Sequence, residues 1–173
     1  MAKRASRKTA KKAAPRRRIK APEKLRREYL PGYVWRQDKV DRVVKFIETF
    51  CKHTPGDQAG KPFTLLDWQR EEVIAPLYGW YTPEGNRRFR SSAIWISKKN
   101  GKSTLISALC CYELIAAGEM GANVFSAAND RYQAGIVARS MIGMLKMNPA
   151  LLKHVEIVES RNSVLHRASN SRY

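Results

Sequence analysis

The feature that most constrains the fold is a Gly-Lys-Ser-Thr turn at residues 101–104, which stands between two apolar segments. The run at residues 92–97 is rich in β-branched and aromatic side chains, which favours a buried strand. Residues 102–117 are apolar on most sides and predict a helix that ends at Gly118. A strand, a tight turn and a helix in this order direct backbone N–H groups and a helix N-terminus at one place, and such a place attracts phosphate.

Residues 97–104 therefore predict a phosphate-binding loop. Gly101 suits the tight position of such a loop, Lys102 is placed to reach the terminal phosphates, and the Ser103 hydroxyl is placed to ligate Mg²⁺. Phosphate loops commonly have an additional glycine five residues before the second one, and that position here is Ile96. The alternative for this segment is a basic turn that binds no nucleotide.

Two further lysines, Lys98 and Lys99, lie inside the same segment. One interpretation is that both are solvated loop lysines. The functional alternative is that one of them leans over the γ-phosphate and stabilises the charge that develops in the transition state.

Helices are predicted upstream of this unit. Residues 38–52 place apolar side chains on one face at helical spacing. Thr64 and Asp67 resemble a capping box, which predicts that a second helix begins at Thr64 and ends near Pro76 or Gly79.

Downstream, residues 123–128 predict a second buried strand and residues 130–147 a second helix. Two β-prone runs then follow at residues 155–158 and 164–167, joined by a turn. The strand–helix–strand–helix order indicates an α/β fold with a right-handed parallel βαβ unit of the P-loop NTPase type, incomplete because only two parallel strands are predicted.

Positive charge is concentrated at the N-terminus. The 173-residue chain has 33 Lys and Arg against 15 Asp and Glu, a net charge of +18. Residues 1–28 hold thirteen of the basic residues and two acidic ones, and Pro15 and Pro22 interrupt any helix there. We therefore expect a flexible, disordered basic arm at residues 1–28 and a partial ATPase domain at residues 29–173. Such an arm is typical of proteins that bind nucleic acid through counterion release, although solubility or an address signal are simpler explanations.

Several classes of protein do not fit this composition. No segment approaches the roughly 20 apolar residues of a membrane span, and the basic start lacks the apolar core of a secretory signal. A transit peptide remains compatible with residues 1–20, which are basic and free of acid. The three cysteines favour a reducing compartment over a disulfide framework.

Three elements in this order resemble the ATPase region of the terminase large subunits of tailed bacteriophages, the motors that package and cut viral DNA. Residues 97–103 have the family's variant phosphate loop without the first glycine. Residues 66–69, Leu-Asp-Trp-Gln, are similar to its upstream glutamine element, and residues 125–130 are similar to its second strand. The resemblance extends from about residue 30 to about residue 170.

The resemblance implies a site for ATP and Mg²⁺. Gln69 is expected to read the adenine edge, because its amide offers both a donor and an acceptor. Lys98 stands where the family often has Arg, and Lys98 and Lys102 are the catalytic candidates. The residues expected to bind the cofactor are Gln69, Ser97, Lys99, Asn100, Gly101, Lys102, Ser103 and Thr104, with Ser103 as the Mg²⁺ ligand. The neighbouring Trp68 is better explained as a core residue than as a stacking platform.

The acidic residues that hydrolysis requires are not evident. An ATPase of this class needs an acidic strand end for Mg²⁺ and a carboxylate that positions the attacking water. The acids after Gly118 are Glu119, Asp130, Glu156 and Glu159, and none follows an apolar strand as part of a pair. We therefore expect the N-terminal part of a longer terminase, truncated before its acidic motif and nuclease domain, which binds ATP but does not hydrolyse it alone.

Two alternatives remain open at this point. A helicase-like, nucleic-acid-dependent ATPase would share the glutamine element, phosphate loop and second strand. A non-enzymatic basic DNA-binding protein would depend on the arm. For the terminase interpretation, the resemblance implies double-stranded DNA, the small terminase subunit and the portal as partners, a homo-oligomeric ring in the full-length protein, and a location in the host cytoplasm without membrane attachment.

Overall fold

The computed structural model describes residues 32–54 and 56–173, which form a mixture of helices and short strands. The predicted arm at residues 1–28 lies outside the described residues. In chain order, the helices and strands are β1 (Val34–Trp35), α1 (Gln37–Phe50), a π-helix (Gln69–Ile74) continuing into α2 (Ala75–Gly79), β2 (Trp80–Tyr81), α3 (Lys102–Ile115), α4 (Arg131–Lys146), α5 (Pro149–Leu152), β3 (Val155–Val158), β4 (Ser163–His166) and β5 (Ser171–Arg172). Within the described residues, no helix combines the length and the apolar character that a membrane crossing requires.

The amphipathic helix predicted upstream of the loop is confirmed as α1. Its buried residues, Val40, Val43, Phe46 and Ile47, recur at helical spacing and face α2 and α3. The aromatic ring of Phe46 meets the ring of Tyr112 on α3 edge to face, with centroids 5.6 Å apart. This contact joins α1 to the helix that follows the phosphate loop, because aromatic edges are attracted to aromatic faces.

The second helix begins at Asp67, so the predicted start at Thr64 is wrong. The backbone N–H of Leu66 donates to Oε1 of Gln69 at 3.0 Å, and the N–H of Leu65 donates to a carboxylate oxygen of Glu48 at 3.2 Å. Side chains from the first helical turn and from α1 thus satisfy the backbone donors just before and at the helix start, whereas the predicted capping box would have used the Thr64 side chain to accept the N–H of Asp67.

Helices α3 and α4 pack side by side and run in the same direction. The buried Ser107 hydroxyl donates to the backbone oxygen of Val137 at 3.1 Å, and one turn later the Cys111 thiol contacts the backbone oxygen of Met141 at 3.9 Å. Both contacts advance along the two helices together, so the helices are parallel. Each helix begins about two turns or less before the Ser107–Val137 contact, which brings their N-termini to the same end of the pair.

The predicted parallel core is present only in part. The described strands form an antiparallel pair, β1–β2, and an antiparallel sheet in the order β3-β4-β5. The predicted hairpin at β3 and β4 is confirmed, with Val155 opposite His166. The second predicted strand makes a parallel bridge between Asn123 and Arg172, which adds it to the edge of β5.

The prediction that residues 92–97 and 123–128 are buried strands is wrong for their aromatic residues. Trp95 is 88% exposed and Phe125 is 83% exposed. Residues 92–97 form neither a helix nor a strand, and they pair with no strand in the described part of the chain. An apolar run becomes a buried strand only when neighbours cover its faces, and within the described residues these faces are not covered.

A polar cluster joins α2, the loop after β2 and α3. Oε1 of Glu113 accepts a hydrogen bond from the Tyr78 hydroxyl at 2.6 Å and another from Nη1 of Arg87 at 2.8 Å. Burial, with the Glu113 carboxylate alongside, raises the pKa of the Tyr78 hydroxyl, which therefore remains a donor at neutral pH. The cluster satisfies its buried polar atoms mutually.

The close packing of Trp35 against Gly79 generates a stability prediction. A Cβ added to Gly79 would lie 2.2 Å from Cζ3 of Trp35. We expect Gly79→Ala to lower the free energy of unfolding by about 1–3 kcal/mol, because a rigid indole held by Trp80 and Gln37 must move. Urea denaturation of the chain measures this.

Gly135→Ala is the matched control, since it is also a helical glycine. The nearest atom to its added Cβ would be Nη1 of Arg139, the far end of a flexible side chain, and the next neighbours would lie 3.4 Å away. Alanine also favours a helix over glycine by about 1 kcal/mol. Equal stability changes in the two variants would contradict the packing explanation.

Candidate nucleotide-binding site

The segment at residues 97–104 folds as a turn that leads directly into α3. Lys99 and Gly101 both have left-handed backbone conformations, with φ of 66° and 74°. Left-handed residues that alternate with right-handed ones turn successive N–H groups inward, and the resulting concavity binds anions. The segment therefore turns tightly at these two positions, directly before α3 begins.

One side-chain hydrogen bond closes the loop across its own base. Nδ2 of Asn100 donates to Oγ of Ser97 at 2.6 Å. Both residues are among those predicted to bind the cofactor, and the contact between them is not evident from the sequence. The Asn-Gly pair at positions 100 and 101, a common turn dipeptide, was the available signal.

The first turn of α3 is open at its N-terminus. Gly101 is the N-cap residue and has no side chain, so the backbone N–H groups that follow are not capped from within the loop. A helix N-terminus in this state carries a partial positive charge that attracts anions.

The charged side chains of the loop are accessible. Lys98, Lys99 and Lys102 are all exposed, and none takes part in an ion pair among the described residues. Ser103 is exposed and Thr104 is partly buried. Three unpaired ammonium groups beside an open helix N-terminus make this turn electropositive.

Gln69 lies beside the loop although 32 residues separate it from Gly101 in the chain. A Cβ built on Gly101 would lie 3.7 Å from Nε2 of Gln69, while Oε1 of the same amide accepts the N–H of Leu66. Gln69 is 1% exposed. The glutamine element and the phosphate loop, which the sequence could connect only by resemblance, are thus neighbours in the fold.

Four carboxylates among the described residues have partners that do not belong to this loop. Asp130 accepts the N–H of Gln133 at 2.9 Å as the N-cap of α4, and Glu113 belongs to the cluster with Tyr78 and Arg87. Glu156 and Glu159 form ion pairs with Arg167 and Lys146, respectively. In the part of the chain that the structure describes, no group of three or more His, Cys, Asp or Glu residues is arranged to hold a metal ion.

The fold agrees with the comparisons to known proteins. The family of the terminase large subunit, ATPase domain, matches residues 67–171. The chain belongs to this terminase family.

A phage protein provides the particular comparison. The chain is 30% identical over 134 residues to the terminase large subunit of Enterobacteria phage HK97, an alignment that covers 77% of this chain and 25% of that protein. It also matches the crystal structure of the HK97 bacteriophage large terminase with a TM-score of 0.66 and 28% identity, over 78% of this chain and 26% of the other. The chain therefore spans about a quarter of the length of these relatives.

The contact between Gln69 and Leu66 generates a prediction that is independent of ligand. We expect Gln69→Leu to lower the free energy of unfolding by about 1–3 kcal/mol, because it leaves the Leu66 N–H without its acceptor. Gln58→Leu, at an exposed position, should stay within about 0.5 kcal/mol of the parent chain. Urea denaturation compares the two variants. A Gln69→Leu variant with the same free energy of unfolding as the parent would show that this hydrogen bond does not stabilise the helix start.

Proposed function

We propose that this chain is the nucleotide-binding part of a phage DNA-packaging ATPase, and that residues 97–104 bind the phosphates of ATP. The observation that carries the proposal is the loop itself, with left-handed Lys99 and Gly101 at the open N-terminus of α3. Membership of the terminase family supports the choice of ATP over other anions.

The residues present fit the phosphate part of MgATP. The N–H groups at the start of α3 and the Lys102 ammonium would hold the β- and γ-phosphates, and the exposed Ser103 hydroxyl would be a ligand to Mg²⁺. Bound Mg²⁺ supplies neutralisation of the charge on the phosphate oxygens. Lys98 is exposed next to the loop and would place a second positive charge near the γ-phosphate, although its ammonium lacks the planar fork of arginine.

Gln69 would act on the nucleotide from the inner side of the loop. The Gln69 carbonyl oxygen accepts a hydrogen bond from the Leu66 N–H, and the Gln69 amino group lies next to Gly101. Contact with adenine would use the remaining lone pair of the Gln69 carbonyl oxygen and the hydrogens of its amino group. The same amide would then contact both the base and the loop.

We further propose that the chain binds MgATP without turning it over. Among the described residues, the carboxylates of Glu113, Asp130, Glu156 and Glu159 already have hydrogen-bond or ion-pair partners outside the loop. Hydrolysis requires a carboxylate that positions the attacking water, and none of these four is available for that role. Packaging of double-stranded DNA, with the small terminase subunit and the portal as partners, belongs to the same proposal for the longer protein.

Substitution of Lys102 tests nucleotide binding. We expect Lys102→Ala to weaken MgATP binding at least tenfold in a calorimetric titration, because it removes the ammonium that faces the terminal phosphates. Lys45→Ala removes the same charge from an exposed site on α1 and should leave the affinity unchanged. Equal effects from both substitutions would reject the site, and rapid Mg²⁺-dependent phosphate release by the parent chain would reject the proposal of binding without turnover.

Gly101 tests the backbone geometry separately from the lysine charge. Gly101→Ala places a Cβ on a residue with φ of 74°, a strain of about 1–2 kcal/mol that the loop can relieve by leaving its phosphate-binding form. Gly85→Ala, at φ of 91° in the loop after β2, imposes a similar strain away from the site. We expect both variants to lose stability but only Gly101→Ala to lose MgATP affinity; unchanged binding by Gly101→Ala would contradict the proposed role of the loop backbone.

A further inference from the structure

A second concave surface lies at the N-terminal half of α4. It encloses a volume of about 290 Å³ and lies between the first turns of α4 and the turn that joins β3 to β4. We define it as the arginine groove: its lining combines apolar side chains with the polar and charged groups of Ser126, Arg131, Arg161, Asn162, Ser163 and Tyr173. No acidic residue lines it among the described parts of the chain.

Arginine side chains approach the groove from two different elements. Arg131 is on the first turn of α4 and Arg161 is on the turn after β3; both are exposed, and neither has an ion-pair partner in the described regions. The nearest carboxylates in sequence are already engaged, since Asp130 caps α4 and Glu159 pairs with Lys146 at 2.5 Å. The positive charge of the groove is therefore not neutralised locally.

A third arginine lies beside the groove, next to its lining residue Gly135. A Cβ on Gly135 would lie 2.6 Å from Nη1 of Arg139 and 3.4 Å from Nδ2 of Asn162, so both donors lie over this glycine. The guanidinium of Arg139 also stacks on the ring of Tyr132 at 4.7 Å and donates to the Tyr132 backbone oxygen at 3.1 Å. These contacts orient the planar guanidinium before any ligand binds.

The donors of the groove match a phosphodiester. Three guanidinium groups and a side-chain amide offer many N–H donors, and guanidinium pairs with phosphate oxygens through two parallel hydrogen bonds. The groove is open along the protein surface and carries no negative side chain, which suits a polyanion that continues beyond a single phosphate. The net charge of the whole chain, +18, favours the approach of such a polymer.

The groove lies at the same end of the fold as the phosphate loop. Helices α3 and α4 are parallel and aligned through Ser107 and Val137, so the turn that precedes α3 and the first turn of α4 are adjacent ends of one helix pair. A ligand in the groove and a nucleotide on the loop would therefore contact neighbouring helix N-termini.

We propose that the arginine groove binds the phosphate backbone of double-stranded DNA, through Arg131, Arg139, Arg161 and Asn162. The choice of DNA as the polyanion rests on the proposed packaging function. The groove would contact the DNA phosphate backbone and not the bases. Such contacts do not depend on base sequence, which a motor that moves along DNA of any sequence requires.

The salt dependence of DNA binding by the full chain tests this proposal. For the Arg131→Gln/Arg161→Gln double variant on a random-sequence duplex, we expect the slope of log K against log salt concentration to fall by about 2, since each lost phosphate contact removes about 0.9. Affinity at 0.1 M salt should fall at least tenfold. The basic arm contributes equally to parent and variant, so the difference reports the groove.

Arg42→Gln/Lys45→Gln is the matched control. It removes two positive charges from exposed positions on α1, outside the groove, and should change the slope by less than about 0.5. The lysine variant, Arg131→Lys/Arg161→Lys, keeps both positive charges but loses the planar guanidinium groups. It should retain the slope of log K against log salt concentration, with several-fold weaker binding. An unchanged slope in Arg131→Gln/Arg161→Gln, or equal reductions in that variant and the control, would overturn the proposal.

Titration with MgATP separates this inference from the nucleotide site. If Arg131→Gln/Arg161→Gln binds DNA normally while Lys102→Ala loses MgATP, the groove proposal is wrong and the loop proposal stands. If the arginine variant loses MgATP affinity to the same extent as DNA affinity, the groove holds nucleotide phosphates instead of DNA and the proposal is again overturned. Loss of DNA affinity in the arginine variant with unchanged MgATP binding supports it.

Discussion

The parallel packing of α3 against α4 is the constraint on which the rest of the structure depends. At its centre Ser107 is fully buried, and its hydroxyl donates across the interface to the backbone of Val137 and back to the carbonyl oxygen of Ser103. A small side chain lets the helices approach closely, and its polar atom is satisfied by carbonyl oxygens on both helices. Because the two helices are aligned here, the phosphate loop and the arginine groove occupy the same end of the molecule.

The elements packed around this helix pair fix the position of the loop at residues 97–104. The Glu113 carboxylate ties α3 to Tyr78 and Arg87, and α1 packs its apolar face against both α2 and α3. Gln69 then reaches from the start of the π-helix to the loop at Gly101. A π-helical turn widens the helix locally and is frequent at functional sites, which is consistent with a glutamine placed beside a nucleotide loop.

The sequence predicted well those features that depend on local chemistry. Apolar spacing identified α1, Asp130 and the periodicity after it identified α4, and the β-prone runs identified the β3–β4 hairpin. Residues 97–104 were recognised because Gly, Lys and Ser at adjacent positions have distinct roles toward phosphate. These signals lie within one helix or one turn, where a few residues decide the conformation.

Features that depend on distant partners were not predictable in the same way. The sequence predicts that Trp95 and Phe125 are buried, because most large apolar side chains are. Burial requires other elements that cover the ring, and in the described chain both rings are exposed. The helix begins at Asp67 instead of Thr64, and the Gln69 side chain accepts the N–H of Leu66 there, a contact that depends on where the chain turns and not on the Thr64–Asp67 pattern.

The sequence alone therefore determined most of the helices and the hairpin, and it predicted a phosphate-binding loop at residues 97–104, because spacing and turn chemistry act over a few residues. The tertiary structure added that Gln69 adjoins Gly101, and that Arg131 and Arg161 line one groove with Arg139 beside its residue Gly135. Those neighbours are up to 32 residues apart in the chain, and only the packing of helices and strands brings such side chains together.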